Sequence, residues 1–141
     1  MNIEWVIPCR FVEVHDNLGT IVGAGIDTFW MQELPAQIQL MLAIRLLGMV
    51  EELDPDIKHK LTNRIRDPQG EVLGEATGEM GIGGESARPE WLAGITLPFV
   101  VAFEATEEGT YTIEFSIDDA EKSLPIHVVH GLPPGVAAAD E

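Results

Sequence analysis

The sequence predicts an all-β protein, and two observations support that prediction. Apolar and polar residues alternate with a period of two in LPFVVAFEAT, TYTIEFSID and SLPIHVVH, three successive runs within residues 97–130. Short acidic turns, EEG and DDAEK, separate the runs. Alternation of this kind is typical of strands that bury one face. We therefore expect the three runs to form an antiparallel meander.

Runs nearer the amino end predict the remaining strands. IEWVIPCRFVEVH and GTIVGAGIDTFW are each predicted as one strand, joined by the turn DNLG at 16–19. Pro8 in the first run indicates an edge strand or a bulge. QIQLMLAIRLLG alternates without a break and is predicted as a strand, although its leucine and methionine content would also suit a helix. HKLTNRIRDPQGEVLGEATGEM predicts a hairpin, because DPQG at 67–70 suits a type I turn.

These runs amount to about seven to eight strands in one domain, residues 1–131. A sheet with one apolar face needs a second sheet to cover it, so an antiparallel β-sandwich is the expected fold. GIGGESARPEWLAG breaks the pattern and predicts a long connection. A helical turn is expected in it, because Pro89 suits a first helical position. We expect residues 132–141 to form a flexible acidic tail.

The stretch Gly109-Thr110-Tyr111 predicts a particular kind of sandwich. A Gly-x-Tyr at the entry to a strand resembles the tyrosine corner of immunoglobulin-like sandwiches, where the hydroxyl binds backbone upstream. We therefore expect an immunoglobulin-like fold in which Gly109 and Tyr111 have structural roles. Tyr111 could instead be one more inward-facing aromatic residue. Cys9 is the only cysteine, so the resemblance is to the wider architecture and not to disulfide-bonded antibody domains.

The charge and hydropathy of the chain indicate which classes of partner to expect and in which cellular compartment the protein lies. The formal net charge is −16, from 8 Lys and Arg against 24 Asp and Glu. Nucleic acid and anionic membrane surfaces are therefore not expected partners. No apolar run has the length of a membrane span, and MNIEWVIPCRF lacks the pattern of a signal peptide. The sequence predicts a cytoplasmic protein.

Residues that could carry chemistry do not form a convincing constellation. The histidines are spread over His15, His59, His127 and His130, and no CxxC accompanies Cys9, so a metal site is not expected. A nucleophilic Cys9-His15-Asp16 group is conceivable, but a strand cysteine is more often buried and inert. Gly23 and Gly25 indicate a bulge or close sheet packing and not a phosphate-binding loop. We therefore expect no catalytic residue, metal or cofactor.

Exposed apolar residues predict contacts with protein. Trp30, Met31 and Trp91 lie in or near connections, where an aromatic residue either packs over a sheet end or anchors a partner. The second side of the 37–48 strand is also apolar, through Met41 and Leu47, so that strand needs a third layer. The long connection or another subunit could supply it, and the second possibility predicts a homo-oligomer.

The expected function is therefore a non-catalytic protein-interaction or assembly module, with a second copy or another protein as partner. The alternative is a β-sandwich that binds a small molecule or metal ion through the loops near His15-Asp16 and at 81–85. A hydrolase ranks third, since no nucleophile motif supports it.

Several short motifs resemble one family of proteins. They are Asp16-Asn17-Leu18, Thr20-Ile21-Val22-Gly23, Phe29-Trp30, Leu34-Pro35-Ala36, Arg45-Leu46 and the DPQG hairpin. Together they resemble the uncharacterised bacterial family of small β-sandwich proteins known as domain of unknown function 6941, over most of residues 3–130. The resemblance implies a β-sandwich fold and carries no catalytic residue with it.

Overall fold

The computed structural model describes residues 1–136, which form ten β-strands in three sheets. The strands are β1 (Asn2–Cys9), β2 (Phe11–His15), β3 (Leu18–Val22), β4 (Thr28–Met31), β5 (Ala36–Gly48), β6 (Lys58–Arg66), β7 (Val72–Gly81), β8 (Ala93–Ala105), β9 (Gly109–Ile117) and β10 (Ala120–His130). Over this described range, no helix is long and apolar enough to span a membrane. The all-β prediction is confirmed, whereas the predicted number of strands was too low.

Two of the sheets enclose the main core. One has three strands in the order β1-β5-β8, and the other has five in the order β4-β10-β9-β6-β7. Neighbouring strands are antiparallel, except that β4 runs parallel to β10. On one flank β1 contacts β10, which closes the sandwich there. Strands β8 and β7 form the edges of the opposite flank.

The core follows from the alternation in β5 and β9. Every second side chain of these strands is at most 2% exposed: Ile38, Leu40, Leu42, Ile44 and Leu46 from β5, and Tyr111, Ile113, Phe115 and Ile117 from β9. Aromatic pairs connect the two sheets, with ring centroids 5.6 Å apart for Phe99 and Phe115 and 5.2 Å apart for Phe103 and Tyr111. Burial of these large side chains is the dominant favourable contribution to folding.

The two-stranded sheet of β2 and β3 is the third layer that β5 requires. Cys9, Val12 and Ala43 form a second buried cluster, against which Met41 and Ile21 pack. The β2–β3 hairpin thus covers the outer face of the three-stranded sheet around Met41 and Ala43. This layer is the hairpin and not the long connection, which corrects that sequence-based alternative, and contact with a second subunit stays a prediction. The apolar residues on both faces of β5 indicated that its outer face needed a covering layer. They did not indicate that this layer would be a hairpin with only five residues in each strand.

Two predicted strands are divided by backbone breaks. The first divides at Arg10 into β1 and β2, and the second divides at Gly23–Gly25 into β3 and β4. Gly23 and Gly25 have φ angles of +68° and +85°, so they form a turn between sheets and not a bulge within one strand. A Cβ on Gly23 would lie 2.9 Å from Cγ of Arg10, and the site therefore requires glycine.

The predicted meander is only partly correct. Strands β9 and β10 form a hairpin, but β8 pairs with β5 and lies in the other sheet. The chain therefore crosses between sheets after Ala105. Alternation reports which face of a strand is buried, and a strand of either sheet buries a face against the same core. The hairpin of β6 and β7 and the edge position of β1, which contains Pro8, are confirmed.

The long connection before β8 contains no helix. The expected helical turn at RPEWLAG is a single hydrogen-bonded turn, in which Trp91 N donates to Arg88 O over 3.1 Å, and not a helix. Of the predicted tail at 132–141, residues 137–141 lie outside the described residues. Val136 N donates to Pro133 O in the part that is described.

Candidate functional site

The candidate nucleophile Cys9 is separated from its expected partners. Its thiol is fully buried beneath the β2–β3 hairpin and lies 3.4 Å from Met41 O. Burial raises the pKa of this thiol above its ordinary value. The side chain of His15 is 73% exposed and hydrogen-bonds Glu13. The structure therefore does not bring Cys9 and His15 together, and a buried thiol with a raised pKa is a poor nucleophile.

The other polar candidates are occupied by structural contacts. His127 Nδ1 lies 2.9 Å from Thr110 Oγ1, and His130 Nε2 lies 3.0 Å from Gln32 O. Glu108 accepts a hydrogen bond from His130 N. Across residues 1–136, no three His, Cys, Asp or Glu side chains are grouped so that they could hold a metal ion.

Buried His59 and exposed Asp118 form a hydrogen-bonded pair that sequence analysis missed. His59 is 4% exposed; its Nδ1 lies 2.6 Å from Asp118 Oδ2 and its Nε2 lies 2.8 Å from Glu52 O. The hydrogen bond to Asp118 raises the pKa of His59, and the same bond lowers the pKa of Asp118. Asp118 Oδ1 also accepts from Lys60 N. The pair connects β6, the loop before it and the β9–β10 turn, and its two partners are 59 residues apart in sequence, so no local pattern indicates it.

Tyr111 fixes the connection between β8 and β9. The residue is 1% exposed, and its hydroxyl donates a 2.8 Å hydrogen bond to Glu107 O, four residues upstream. Gly109 has a φ of +150°, and a Cβ there would lie 2.7 Å from Cγ of Pro68. The chain therefore turns into β9 with glycine against the β6–β7 turn and with the tyrosine ring in the core.

The five predicted interaction residues do not form one surface. Met31 packs against the main core and Met41 packs beneath the hairpin. Leu47, on β5, is partly buried. Trp30 is 37% exposed on edge strand β4, while Trp91, in the connection before β8, is 54% exposed and carries the Arg88 guanidinium 5.5 Å from its ring centroid. The two exposed tryptophans thus lie apart, one on strand β4 and one in the connection before β8.

An open seam separates β7 from β8 on the flank opposite β1 and β4. This seam is the groove formed by the inner faces of β6 and β7 and by the free edge of β8. Three adjoining cavities occupy it, of about 290, 250 and 290 Å³. They share Asn63 and Ala76 at one junction and Ile65, Gly74 and Ala102 at the other.

Small residues on β7 create this groove. Gly74, Ala76 and Gly78 lie opposite Ile65, Asn63 and Leu61 of β6, so they share the inward face of the sheet. A Cβ on Gly74 or Gly78 would meet no atom within 4 Å. Glu75, Thr77 and Glu79 alternate with these residues on the outer face. The sequence GEATGE contained this signal, since it alternates but places no large residue inward.

The edge of β8 offers unpaired backbone groups to the seam. The side chain of Asn17 binds Gly94 O and accepts from Thr96 N, so even-numbered residues of β8 direct their N–H and C=O groups away from β5. Pro98, which has no N–H, has the same parity. Val100, Ala102 and Glu104 follow, and these three residues have no backbone partner on that side among residues 1–136.

One buried polar atom lies at the floor of the seam. Asn63 Oδ1 is inaccessible to solvent and has no hydrogen-bond partner within the described part of the chain. Asn63 lines two of the three cavities. A buried amide oxygen without a donor costs about 1–3 kcal/mol.

A separate cavity of about 500 Å³ lies where the hairpin tip meets the connection before β8. Val14, Asn17, Gly83, Gly84, Glu85, Ile95 and Thr96 line it. The structure therefore brings together segments near those that sequence analysis named for small-molecule binding. The amide of Asn17 is already engaged by Gly94 and Thr96.

Comparison with known proteins gives a family but no described activity. The model of DUF6941, a family of unknown function, matches residues 4–129. No curated protein and no solved structure matches the chain. The matched span includes the motifs at the amino end and the DPQG hairpin on which the sequence resemblance depended, and it contains every residue that forms the seam. The chain therefore belongs to the DUF6941 family of unknown function.

Proposed function

We propose that this protein is a non-catalytic, immunoglobulin-like β-sandwich that acts by binding protein at the seam. The observation that carries the proposal is the free edge of β8 beside an apolar groove. An exposed edge is a template for pairing with another chain, and soluble proteins commonly protect such edges. Here Asn17 and Pro98 protect one half of the β8 edge, whereas the half from Val100 to Glu104 is open.

The strand order supports the immunoglobulin-like part of the proposal. Strands β1, β5 and β8 correspond to A, B and E of that fold, and β6, β9 and β10 correspond to C, F and G. Strand β7 then corresponds to C′, beside C. Tyr111 stands near the start of the F-like strand and binds backbone upstream, as in a tyrosine corner. No strand of residues 1–136 stands in the place of D, which would flank β8.

The chemistry of the seam favours binding over catalysis. Aliphatic, aromatic and glycine residues line most of it, and the ionisable groups at its rim are Glu75, Glu79 and Glu104. General acid–base catalysis needs positioned groups that exchange protons near neutral pH. An apolar floor beside unpaired backbone groups instead suits recognition of an extended chain.

Self-association and a cytoplasmic location remain predictions from the sequence. The part of the β5 face around Met41, which suggested a second subunit, is covered by the protein's own hairpin. On this proposal a second copy would bind at the seam.

Site-specific photo-cross-linking tests the proposed function. Benzoylphenylalanine is introduced at Ala102 in the seam and, as a matched control, at Glu13 on the outer face of the hairpin, and the variants are irradiated in native cells. We expect the Ala102 variant alone to give a discrete protein adduct. An adduct of twice the 15.4 kDa chain mass would identify a second copy. Equal adducts at both positions, or none at Ala102, would contradict the proposal.

The cavity beside the hairpin tip favours a second candidate function, the binding of a small molecule. Its size lies in the range of ligand pockets, about 300–1,000 Å³. A thermal-shift screen of metabolites and divalent cations tests this function. A ligand-induced rise in the unfolding temperature that is lost in Glu85→Trp, which places a bulky side chain at an exposed position lining the cavity, would support it.

A further inference from the structure

We propose that the seam binds an extended segment of another protein, which adds a fourth strand to the β1-β5-β8 sheet at the edge of β8. This inference rests on the proposed function and names its partner: an unfolded or extended segment with alternating apolar residues and a net positive charge. The added strand would occupy the place that a D-like strand would take beside β8.

The backbone of β8 sets the geometry of the added strand. Val100, Ala102 and Glu104 present N–H and C=O groups on the free edge, over a length of five residues. A strand paired there satisfies these groups in the same way as a strand of the native sheet, and recognition by such pairing depends on main-chain hydrogen bonds. The segment bound needs at least the same extended length.

The groove sets the side-chain pattern. Residues of an added strand alternate between the two faces of the sheet. One set would project over Gly74, Ala76 and Gly78 of β7, whose small size leaves space for them. Phe99, Val101 and Phe103 would flank this set. Apolar side chains therefore fit at alternate positions of the added strand.

Charge selects the partner. Glu75, Glu79 and Glu104 are among the residues that line the three cavities, and no lysine or arginine of the described chain lines them. Glu75 is already paired with Arg64, so Glu79 and Glu104 are the carboxylates that remain for a partner. The nearby guanidinium groups of Arg64 and Arg66 are held by Glu75 and Glu114 on the outer face. With a net charge of −16 on the whole chain, basic residues flanking the apolar segment would increase both affinity and association rate.

An extended segment fits better than a second folded copy. Two copies joined by their β8 edges about a two-fold axis would bring both β7 strands to the same side of the joint sheet. Each β7 already lies across the groove from β8, so the two would compete for one space. Like charge would add repulsion between copies. A single extended chain avoids both problems.

Selection from a random peptide library tests the inference. Phage-displayed random dodecapeptides are selected on the full chain, and enriched peptides are synthesised and titrated by fluorescence anisotropy. We expect enriched peptides to alternate apolar residues and to carry Lys or Arg. Hydrogen exchange at the amides of Ala102 and Glu104 should slow when such a peptide is bound, which reports strand pairing directly.

Three variants localise the binding. Ala102→Pro removes an edge N–H at the parity that Pro98 already has, and Ala102→Thr keeps it as the matched control. Gly78→Leu fills the groove from β7, where a Cβ meets open space. We expect affinity to fall about tenfold or more in Ala102→Pro and Gly78→Leu and to stay within about twofold in Ala102→Thr. Circular dichroism verifies that each variant is folded. If Ala102→Pro is unfolded, the affinity of Gly78→Leu decides the test.

The results separate this inference from the proposed function. Enriched acidic peptides, equal affinity for all variants, or no enrichment would overturn the added strand. A self-adduct in the cross-linking experiment, with dimers lost in Ala102→Pro, would also overturn it, because the occupant would be a second copy. In both cases a specific adduct at Ala102 would leave the proposed function standing. Peptide binding without any adduct in native cells would contradict the proposed function alone.

Discussion

At the scale of single residues, Tyr111 shows how one hydroxyl can fix a crossover between sheets. Its ring lies in the core against Phe103, and its hydroxyl donates to Glu107 O while lying 3.3 Å from Glu107 N. The chain leaves β8 in one sheet and enters β9 in the other within four residues. A loop that short holds its position through such contacts more than through packing.

Tyr111→Phe removes the hydroxyl and keeps the ring. We expect the free energy of unfolding to fall by about 1–3 kcal/mol, since the hydroxyl's hydrogen bonds with both Glu107 O and Glu107 N are lost. Urea denaturation measures the change, and its dependence on urea concentration should stay constant because the surface exposed is unchanged. An unaltered midpoint would mean that the hydroxyl does not hold the crossover.

His59 makes stability depend on pH. Because its pKa is raised in the folded protein, chiefly by Asp118, the stabilisation is fully present below the ordinary histidine value, about 6.5. It is lost as pH rises through the raised value. The pKa of Asp118 is lowered, so its contribution to stability is fully present at pH values above the ordinary aspartate pKa. That contribution is lost as pH falls through the lowered pKa. The Glu52 carboxylate, whose pKa is also lowered, belongs to the same surroundings.

Replacing His59 with glutamine tests this pH dependence of stability. We expect the wild-type protein to be more stable than this variant by about 1–2 kcal/mol near pH 6, with the difference shrinking as pH rises to about 9. Urea midpoints across that range measure it. His15→Gln, at an exposed position on the hairpin, serves as control and should follow the wild type. A difference that grows with pH would contradict the assigned direction.

At the scale of elements, the β2–β3 hairpin shows how a short two-stranded sheet becomes stable. An isolated hairpin is at best marginally stable in water. Here Val12 packs with Cys9 and Ala43, and the turn residues Asp16 and Asn17, with φ angles of 50° and 62°, suit a two-residue type I′ turn. The amide of Asn17 then binds the edge of β8 at both Gly94 and Thr96.

Asn17→Gly keeps the left-handed backbone but removes the amide. We expect the free energy of unfolding to fall by about 1–3 kcal/mol from two lost hydrogen bonds, and the Thr96 amide to exchange with solvent faster. Hydrogen exchange resolved by residue measures the second effect. Asp16→Gly changes the neighbouring left-handed residue without touching β8, so Thr96 should stay protected in it. Equal exchange of Thr96 in both variants would disprove this role of Asn17.

At the scale of the whole molecule, charge repulsion opposes the compact state. A net charge of −16 on 141 residues destabilises the folded protein through self-repulsion. Few of these charges are neutralised within the fold, and the clearest case is the group of Arg64, Arg66, Glu75 and Glu114 on the outer face of the five-stranded sheet. Ions in solution screen the remainder over about 10 Å at 0.1 M salt.

Added salt should therefore stabilise the protein at neutral pH. We expect the unfolding temperature at pH 7 to rise by a few degrees between about 0.02 and 0.5 M NaCl, since about 1 kcal/mol shifts it by roughly 2–4 °C for a chain of this size. Differential scanning calorimetry measures the rise. Near the isoelectric point, pI ≈ 4.4, the same salt should have much less effect. A fall in unfolding temperature at pH 7 would contradict the role of repulsion.

Some of the site could have been predicted from sequence, and some could not. The alternation of small and acidic residues in GEATGE already indicates a strand with an empty inward face. The unpaired edge of β8 could not be predicted, because pairing between strands is a property of neighbours far apart in the chain. The His59–Asp118 pair is hidden for the same reason.

The sequence by itself determined that the chain is all-β, which residues face the core, and that β5 has two apolar faces in need of cover. These are local properties, because a period of two assigns each side chain to a face. Only the tertiary structure decided which strand lies beside which, that the protein's own hairpin covers β5, and that β8 is left open beside the small residues of β7. Those outcomes depend on how two sheets of unequal width pack, and no local pattern encodes the difference in width.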